Sequence, residues 1–221
     1  MKSDIPEEYQ EGWTRFLNCH IDLAHRTLIP RPETEFWARQ AIINLAKLKG
    51  DIRVLDIFAG SGCVGIAVAK NIGRAAVDFA DIDSSAVAQI KKNCRINGID
   101  KKRAKIFESD VFEKIPRNAN YDAILANPPY IDPSRACLVQ KSVLDWEPRR
   151  ALFAADQGLA IIEKFLKQAK FFLKPEGFIF VEFDPCQKQD IMKIIKKSGY
   201  STFEFFKDQF KKWRFVKIAV N

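Results

Sequence analysis

The sequence has few cysteines and histidines, and their spacing does not predict a metal site or a disulfide framework. Its five cysteines (Cys19, Cys63, Cys94, Cys137 and Cys186) lie at least 31 residues apart and form no C-x-x-C pair. Only two histidines accompany them. Zinc sites and disulfide scaffolds group their cysteines closely. We therefore expect five reduced thiols and no bound metal ion.

The chain also lacks a long apolar segment. A membrane-spanning helix needs about 20 consecutive apolar residues, and the longest runs here, such as Phe178 to Val181, are far shorter. Near the N-terminus, acidic residues and Pro6 stand where a secretory signal has a basic start and an apolar run. The 47% hydrophobic and 29% charged fractions are ordinary for a globular protein. These features predict a cytoplasmic protein with one main domain.

Positive charge is the one bias in the composition. The net charge is +8, and residues 160–221 contribute most of it, with 13 basic and 7 acidic side chains. A basic segment is compatible with an RNA-rich partner such as the ribosome. A solvated set of lysines on surface helices explains the same charge equally well.

Strand-like and helix-like patterns alternate from residue 34 onward. The predicted strands are 52–58, 75–81, 103–108, 121–126, 178–183, 201–207 and 212–220. The predicted helices are 34–49, one beginning at Val64, 84–97, 158–173 and 186–198. Only a short polar loop separates the last two strands, which indicates a terminal antiparallel hairpin. We predict an α/β fold with a seven-stranded, mostly parallel, doubly wound sheet.

A glycine-rich loop follows the first predicted strand. Gly60-Ser61-Gly62-Cys63-Val64-Gly65 fits G-x-G-x-x-G between a strand and a helix, and Asp81 ends the next strand. This arrangement is typical of a nucleotide-like ligand whose ribose hydroxyls donate to the carboxylate. A structural glycine turn or a dinucleotide-dependent dehydrogenase would give the same pattern.

Two further aspartates bear on which ligand the loop binds. Asp56 lies inside the strand before the loop, where its negative charge would oppose a pyrophosphate. It suits a cationic ligand such as S-adenosylmethionine, which carries a sulfonium and an amino group. Asp110 follows the third strand, where it could accept an adenine amino proton while Val111 packs against the ring. A helix N-cap or turn role explains Asp110 equally well.

The fourth strand runs directly into Asn127-Pro128-Pro129-Tyr130. Two consecutive prolines fix φ twice and remove two N–H donors, which makes the turn rigid. The turn is placed at the carboxyl end of the sheet, where open α/β sheets bind ligands.

This turn resembles that of the Rossmann-like class I methyltransferases that methylate a planar nitrogen. From about Glu11 to the C-terminus, the chain more closely resembles the bacterial-type peptide chain release factor N5-glutamine methyltransferases. Two stretches carry that similarity: Leu28-Ile29-Pro30-Arg31-Pro32-Glu33-Thr34-Glu35, and Trp146-Glu147-Pro148 together with Ala155-Asp156-Gln157-Gly158-Leu159. Adenine-N6 methyltransferases share the turn but not these stretches. The sister family that acts on a ribosomal protein typically lacks the Glu-Thr of the first stretch.

The resemblance implies methyl transfer from S-adenosylmethionine to the glutamine amide of the Gly-Gly-Gln motif in a release factor, with S-adenosylhomocysteine as product. It implies that Asn127, Pro128 and Tyr130 are catalytic and that Pro129 binds substrate with them. The implied cofactor-binding residues are Asp56, Phe58, Ala59, Gly60, Ser61, Gly62, Asp81, Asp110, Val111 and Asn127.

The sequence departs from the family pattern at two points. Phe58 stands where the family usually has glycine, although related RNA methyltransferases have phenylalanine there, so we expect cofactor binding to be retained. We also expect residues 1–27 to form an N-terminal segment in place of the family's helical domain, followed by a methyltransferase domain over 28–221. We expect a monomer with no stable nucleic-acid partner.

Three other functions remain open from the sequence. A nucleic-acid N-methyltransferase would share the Asn-Pro-Pro-Tyr turn, Phe58 and the positive charge. A ribosomal-protein glutamine methyltransferase would share most of the fold and site. A binding subunit without activity could keep the fold, although the intact Gly60, Asp81 and Asn127 argue against it.

Overall fold

The computed structural model describes residues 3–220 as alternating helices and strands. The first elements are α1 (Glu7–Glu11), β1 (Trp13–Phe16), β2 (Cys19–Asp22), α2 (Pro32–Ala46), β3 (Ile52–Ile57), α3 (Cys63–Asn71), β4 (Ala75–Asp81) and α4 (Ser84–Ile96). There follow β5 (Ala104–Glu108), β6 (Tyr121–Ala126), α5 (Lys141–Trp146), α6 (Ala155–Gly158), α7 (Ala160–Ala169), β7 (Leu173–Glu182), α8 (Lys188–Lys197), β8 (Thr202–Lys207) and β9 (Trp213–Ala219).

Seven of these strands form one sheet in the order β5-β4-β3-β6-β7-β9-β8. Strand β9 lies between β7 and β8 and is antiparallel to both, whereas the pairs from β5 to β7 are parallel. The structure therefore confirms the seven-stranded, mostly parallel sheet with a C-terminal antiparallel hairpin.

The winding of the sheet reverses at β3, whose neighbours are β4 on one side and β6 on the other. Ile57, at the end of β3, pairs with Ala80 on β4 and with Ala126 on β6. The residues that follow these three are Phe58, Asp81 and Asn127, and all of them reach the same edge of the sheet. This reversal is the point at which open α/β sheets form a crevice for ligands.

Side chains of the central strands alternate between two hydrophobic cores, one on each face of the sheet. Val54 and Leu125 pack in the core that includes residues of α2, α3 and α4. Their sequence neighbours Leu55 and Ile124 pack in the core that includes residues of α7 and α8. Helices therefore cover both faces, as expected for a doubly wound sheet.

The hairpin of β1 and β2 was not predicted from the sequence. Three amide side chains, one helical turn apart, bind β2 and the residues after it. Two of them belong to α4 and the third directly follows α4. Asn93 Oδ1 accepts the N–H of Asp22 at 2.9 Å, and Gln89 Oε1 accepts the N–H of His25 at 2.8 Å. Asn97 Oδ1 accepts the N–H of His20 at 3.1 Å. These bonds attach the hairpin to the main sheet domain.

Two predicted boundaries near the C-terminal half were wrong. The helix predicted over 158–173 is shorter, because Asp156, Gln157 and Gly158 have left-handed φ values before α7 begins at Ala160. The strand predicted over 178–183 begins at Leu173, because β7 includes an irregular stretch in which Glu176 has a φ of 62°. A shift in the pairing with β6 accommodates the extra residues.

The five cysteines are free thiols: Cys19, Cys63 and Cys94 are buried, and Cys137 and Cys186 are exposed. Burial raises the pKa of Cys19 to about 11 and that of Cys94 to about 12. Over residues 3–220, no helix combines the length and the apolar character needed to cross a membrane.

Candidate active site

A cavity of about 420 Å³ opens at the carboxyl ends of β3, β4 and β6. Nine of the ten predicted cofactor-binding residues line it: Asp56, Phe58, Ala59, Gly60, Ser61, Asp81, Asp110, Val111 and Asn127. The tenth, Gly62, does not line the cavity. It caps α3 with a φ of 77°, and a Cβ there would come within 3.2 Å of Ile90. Gly62 therefore shapes the loop from outside the cavity.

The glycine loop begins with an unusual backbone conformation at Phe58. Phe58 has a φ of 59°, in the left-handed region that glycine adopts freely, and Gly60 follows with a φ of 54°. A non-glycine residue in this region costs about 1–2 kcal/mol. The Phe58 ring packs edge-on against Phe165 of α7, with centroids 5.8 Å apart. This packing offsets part of the backbone cost and explains how phenylalanine can stand at a glycine position.

The carboxyl group of Asp56 contacts the start of α3. Asp56 is buried, and its Oδ2 accepts the N–H of Gly65 at 2.8 Å. A Cβ on Gly65 would overlap the Phe79 ring and lie 2.9 Å from Asp56. The third glycine of the motif is therefore required by this close approach. Burial, reinforced by the charge of Asp81 and partly opposed by the Gly65 bond, raises the pKa of Asp56 to about 8.

The carboxyl group of Asp81 is fixed by two backbone N–H groups. Its Oδ2 accepts from Gly60 at 2.8 Å and its Oδ1 accepts from Asp83 at 2.9 Å. Burial raises the pKa of this carboxyl group. Because each carboxylate oxygen can accept two hydrogen bonds, both keep a lone pair for a ligand.

Asp110 and Val111 lie side by side on the cavity. Asp110 forms an ion pair with Lys164 of α7 at 2.6 Å, with the two side chains 40% and 44% exposed. Val111 is buried with a φ of 54°, which is rare for a β-branched residue and often marks a functional site. Asp110 and Ser109 both stabilise the turn that follows: the Asp110 carbonyl accepts the N–H of Glu113 at 3.1 Å, and Ser109 Oγ accepts the N–H of Lys114 at 2.9 Å.

A second cavity, of about 370 Å³, adjoins the first, and Asn127 is among the residues that line both. Asn127, Pro128 and Tyr130 line it, whereas Pro129 lines the first cavity. The remaining lining residues are Leu28, Arg31, Ile131, Val139, Gln140, Val143, Ala151, Leu152 and Glu182. Asn127 therefore borders both cavities.

Glu182, at the end of β7, was not predicted as a site residue and is only 1% exposed. Its Oε2 accepts Thr34 Oγ1 at 2.7 Å and Trp37 Nε1 at 2.6 Å, and its Oε1 accepts the Tyr130 hydroxyl at 3.0 Å. Thr34 Oγ1 in turn accepts Asn127 Nδ2 at 3.3 Å. A single acid in the apolar run of β7 was the only sequence signal that could have indicated this residue.

The two stretches that carry the family resemblance meet in space. Glu147, whose side chain is 1% exposed, forms an ion pair with Arg31. Its Oε2 also accepts the N–H of Ile29 at 3.1 Å. Arg31 borders both cavities. The pair therefore connects the segment before α2 to the segment after α5 at the junction of the cavities.

Gly158 and Gln187 both contact the Asn-Pro-Pro-Tyr turn at the carbonyl oxygen of Tyr130. A Cβ on Gly158 would overlap the carbonyl oxygen of Tyr130. Gln187 Nε2 donates to that same oxygen at 2.8 Å and to the carbonyl of Gln157 at 3.0 Å. The left-handed segment before α7 thus fixes the position of the turn.

Sequence comparison places the chain among methyltransferases. The profile of the Methyltransferase small domain family matches residues 39–144. The release factor glutamine methyltransferase of Flavobacterium psychrophilum is 30% identical over 222 residues, which cover 99% of this chain and 76% of the relative. That of Streptococcus pneumoniae is 35% identical over 216 residues, which cover 96% of this chain and 74% of the relative.

Solved structures with the same fold are also methyltransferases. A 16S rRNA N2 G1207 methyltransferase of T. thermophilus, in complex with AdoMet and guanosine, superposes with a TM-score of 0.69 at 19% identity, over 95% of this chain and 50% of that chain. A ribosomal protein L11 methylase from Lactobacillus delbrueckii subsp. bulgaricus superposes with a TM-score of 0.62 at 17% identity, over 88% of this chain and 80% of that chain. At these identities the similarity concerns the fold.

The sheet order is that of the class I methyltransferase fold, and the matched domain family identifies the chain as a methyltransferase. The sequence relatives narrow this class, since they match most of the chain at 30–35% identity. The chain belongs to the release factor glutamine methyltransferase family.

Proposed function

We propose that the protein transfers a methyl group from S-adenosylmethionine to the side-chain amide nitrogen of glutamine in the Gly-Gly-Gln motif of a peptide chain release factor. S-adenosylhomocysteine is the second product. The observation that carries this proposal is the position of Asn127, an amide side chain that borders both cavities. One cavity is assigned to the cofactor and the other to the acceptor glutamine.

The first cavity has the size and chemistry that the cofactor requires. Its volume of about 420 Å³ is within the range of small-molecule sites. Asp81 would accept hydrogen bonds from the ribose hydroxyls through its remaining lone pairs. Asp56 would face the cationic amino group, whose positive charge would oppose the effect of burial that raises the pKa of Asp56 in the unliganded protein. Val111 would pack against the adenine. When bound, the cofactor supplies an electrophilic methyl group on its sulfonium.

The second cavity suits a neutral amide at the end of an apolar stem. Its lining combines aliphatic side chains, from Leu28, Ile131 and Leu152 among others, with five polar or charged residues: Arg31, Asn127, Tyr130, Gln140 and Glu182. Such a surface can pack against the methylenes of a glutamine side chain, while Asn127 and Pro128 provide hydrogen-bond acceptors for its amide.

Orientation is the main contribution of these residues to methyl transfer. An amide nitrogen is a poor nucleophile because its lone pair is delocalised into the carbonyl. Asn127 Oδ1 and the Pro128 carbonyl would accept the two N–H bonds of the substrate and aim the nitrogen at the methyl group. These bonds strengthen as positive charge develops on nitrogen, which stabilises the transition state selectively.

The proton displaced from nitrogen passes to water, so the mechanism needs no general base. Tyr130 is poorly suited to that role, because its hydroxyl already donates to Glu182. Burial and the neighbouring Glu182 also raise the pKa of Tyr130 well above its usual value. Tyr130 instead closes one side of the acceptor cavity.

A methylation assay with an intact release factor tests the proposed function. The protein and S-adenosylmethionine are incubated with the factor, and the modified peptide is located by mass spectrometry. We expect one methyl group on the glutamine of Gly-Gly-Gln and none on a factor in which that glutamine is replaced by glutamate. An unmodified Gly-Gly-Gln glutamine in the presence of cofactor turnover on RNA or ribosomal protein would refute the assignment.

A further inference from the structure

The Glu182 cluster consists of Glu182 and its three hydrogen-bond partners, Thr34, Trp37 and Tyr130. Two partners come from α2 and one from the turn after β6, so the cluster joins three elements that are distant in sequence. Its link to the reacting centre is the bond between Thr34 Oγ1 and Asn127 Nδ2. The cluster therefore reaches a side chain that borders both cavities.

The direction of each hydrogen bond in this cluster follows from which atoms carry hydrogen. Burial raises the pKa of Glu182, and the hydrogen bonds from Trp37, Thr34 and Tyr130 oppose that shift. With three donors on its two oxygens, Glu182 acts as a carboxylate that only accepts, so Thr34 donates its single hydroxyl hydrogen to it. Thr34 Oγ1 then has only lone pairs for its second partner. Within the Asn127 amide, only Nδ2 carries hydrogens, so this end must face Thr34. The other end of the Asn127 amide, Oδ1, is then free to accept hydrogen bonds from the substrate.

We propose that Glu182, acting through Thr34, is a positioning residue that fixes the flip of the Asn127 amide and so presents Oδ1 to the substrate. This inference rests on the proposed function. Only a substrate whose amide N–H groups donate hydrogen bonds requires an oxygen, rather than an N–H group, on the Asn127 side chain that faces it. In the opposite flip, Asn127 would present an N–H group to the substrate N–H groups, and one orienting bond would be replaced by repulsion.

Trp37 determines which atom of residue 182 must be a hydrogen-bond acceptor. An indole N–H can only donate, so the atom of residue 182 that faces Trp37 must be an acceptor. Trp37 and Thr34 share Oε2. In Glu182→Gln, the amide oxygen would take that place and the amide nitrogen would face the Tyr130 hydroxyl, which can accept. The direction of the Thr34 hydrogen bond, and with it the flip of Asn127, is therefore retained in this variant.

Thr34→Val tests the inference with little change in shape. Valine matches threonine in size but provides no oxygen, so nothing selects between the two flips of Asn127. We expect kcat with the Gly-Gly-Gln release factor to fall about twofold, because the two flips of Asn127 then become about equally populated. The dissociation constant of S-adenosylmethionine, measured by calorimetry, should stay unchanged. Thr34→Ser and Glu182→Gln keep the direction of the hydrogen bonds, so each should lose less kcat than Thr34→Val.

A second measurement separates the flip from general damage to the site. With an N–H group presented, Asn127 becomes a donor that favours a carboxylate. A release factor carrying Gly-Gly-Glu should therefore inhibit Thr34→Val more strongly than it inhibits the wild type, by roughly tenfold. Trp37→Phe is the matched control, because it removes another bond to Oε2 and leaves the Thr34 hydrogen bond in place. We expect its inhibition constant to equal that of the wild type.

Two results would overturn the inference, and they are distinguishable from each other. If the wild type methylates Gly-Gly-Gln but Thr34→Val shows no gain in inhibition by Gly-Gly-Glu, the flip is not set by Thr34 and the inference fails alone. If the wild type leaves the Gly-Gly-Gln glutamine unmodified, the proposed function fails and the inference fails with it.

Discussion

The carbonyl oxygen of Tyr130 occupies the space that a Cβ on Gly158 would fill. Gly158 also has a φ of 82°, a conformation that L side chains rarely adopt. The residue is therefore restricted to glycine by both its backbone and its neighbour. This contact couples the segment before α7 to the turn that contains Asn127.

Gly158→Ala should move the Asn-Pro-Pro-Tyr turn and reduce kcat by about a hundredfold, because displacements near 1 Å at a reacting centre have effects of that size. Steady-state kinetics with the release factor measure the loss. Gly98→Ala is the matched control, since Gly98 has a φ of 68° and a Cβ added there would meet no atom within 4 Å. Equal kcat values in the two variants would show that the Tyr130 contact has no catalytic importance.

Asn127→Ala should reduce kcat by about a hundredfold or more and leave cofactor affinity nearly unchanged. The variant loses an orienting acceptor at the reacting centre, whereas the contacts assigned to the ribose and adenine remain. Single-turnover kinetics and calorimetry measure the two quantities separately. Turnover at the wild-type rate would contradict the role assigned to Asn127.

Asp81→Ala should weaken cofactor binding by about 1.5–3 kcal/mol, the scale of hydrogen bonds to a charged group. Asp110→Ala should have a smaller effect, because Asp110 is already paired with Lys164 and is 40% exposed. Calorimetric titration with S-adenosylmethionine compares the two variants with the wild type. An affinity for Asp81→Ala equal to that of the wild type would exclude Asp81 as the ribose ligand.

Asp56→Asn should increase thermal stability, and increasingly so as pH rises from 5 to 8. Because the pKa of Asp56 is raised to about 8 in the folded protein, the folded state keeps a proton that the unfolded state releases above about pH 4. Wild-type stability therefore falls as pH rises through this window. Asparagine does not titrate and can still accept the Gly65 N–H.

The difference in Tm between Asp56→Asn and the wild type, measured without cofactor at several pH values, tests this sign. Asp51→Asn, at an exposed position just before β3, controls for the loss of one negative charge. A difference for Asp56→Asn that stays constant from pH 5 to 8 would show that Asp56 does not carry a raised pKa in the folded state.

The sheet was predictable because each central strand has a clear local pattern. Runs such as 75–81 and 121–126 are mostly apolar, are bounded by turn residues and are separated by helical patterns, and the structure reproduces both bounds. The glycine loop and Asp81 were predictable for a related reason, since a strand, a loop and a carboxylate at fixed spacing recur wherever a sheet binds a nucleotide.

The features that were missed depend on contacts between distant parts of the chain. The β1–β2 hairpin has four-residue strands and a turn without glycine, with Leu17 at a φ of 52°. Its stability depends on Asn93 and the neighbouring amides about 70 residues away. Glu182 was missed for the same reason, because its partner Thr34 lies 148 residues earlier.

The most direct test of the central claim offers the wild-type protein several acceptors at once. A release factor, bulk RNA and ribosomal proteins are mixed with S-adenosylmethionine that carries a labelled methyl group, and the labelled product is located by mass spectrometry. We predict that the label is found on the side-chain nitrogen of the Gly-Gly-Gln glutamine and that Asn127→Ala abolishes most of it. Label found on RNA bases or on ribosomal protein, with the release factor unlabelled, would contradict the account.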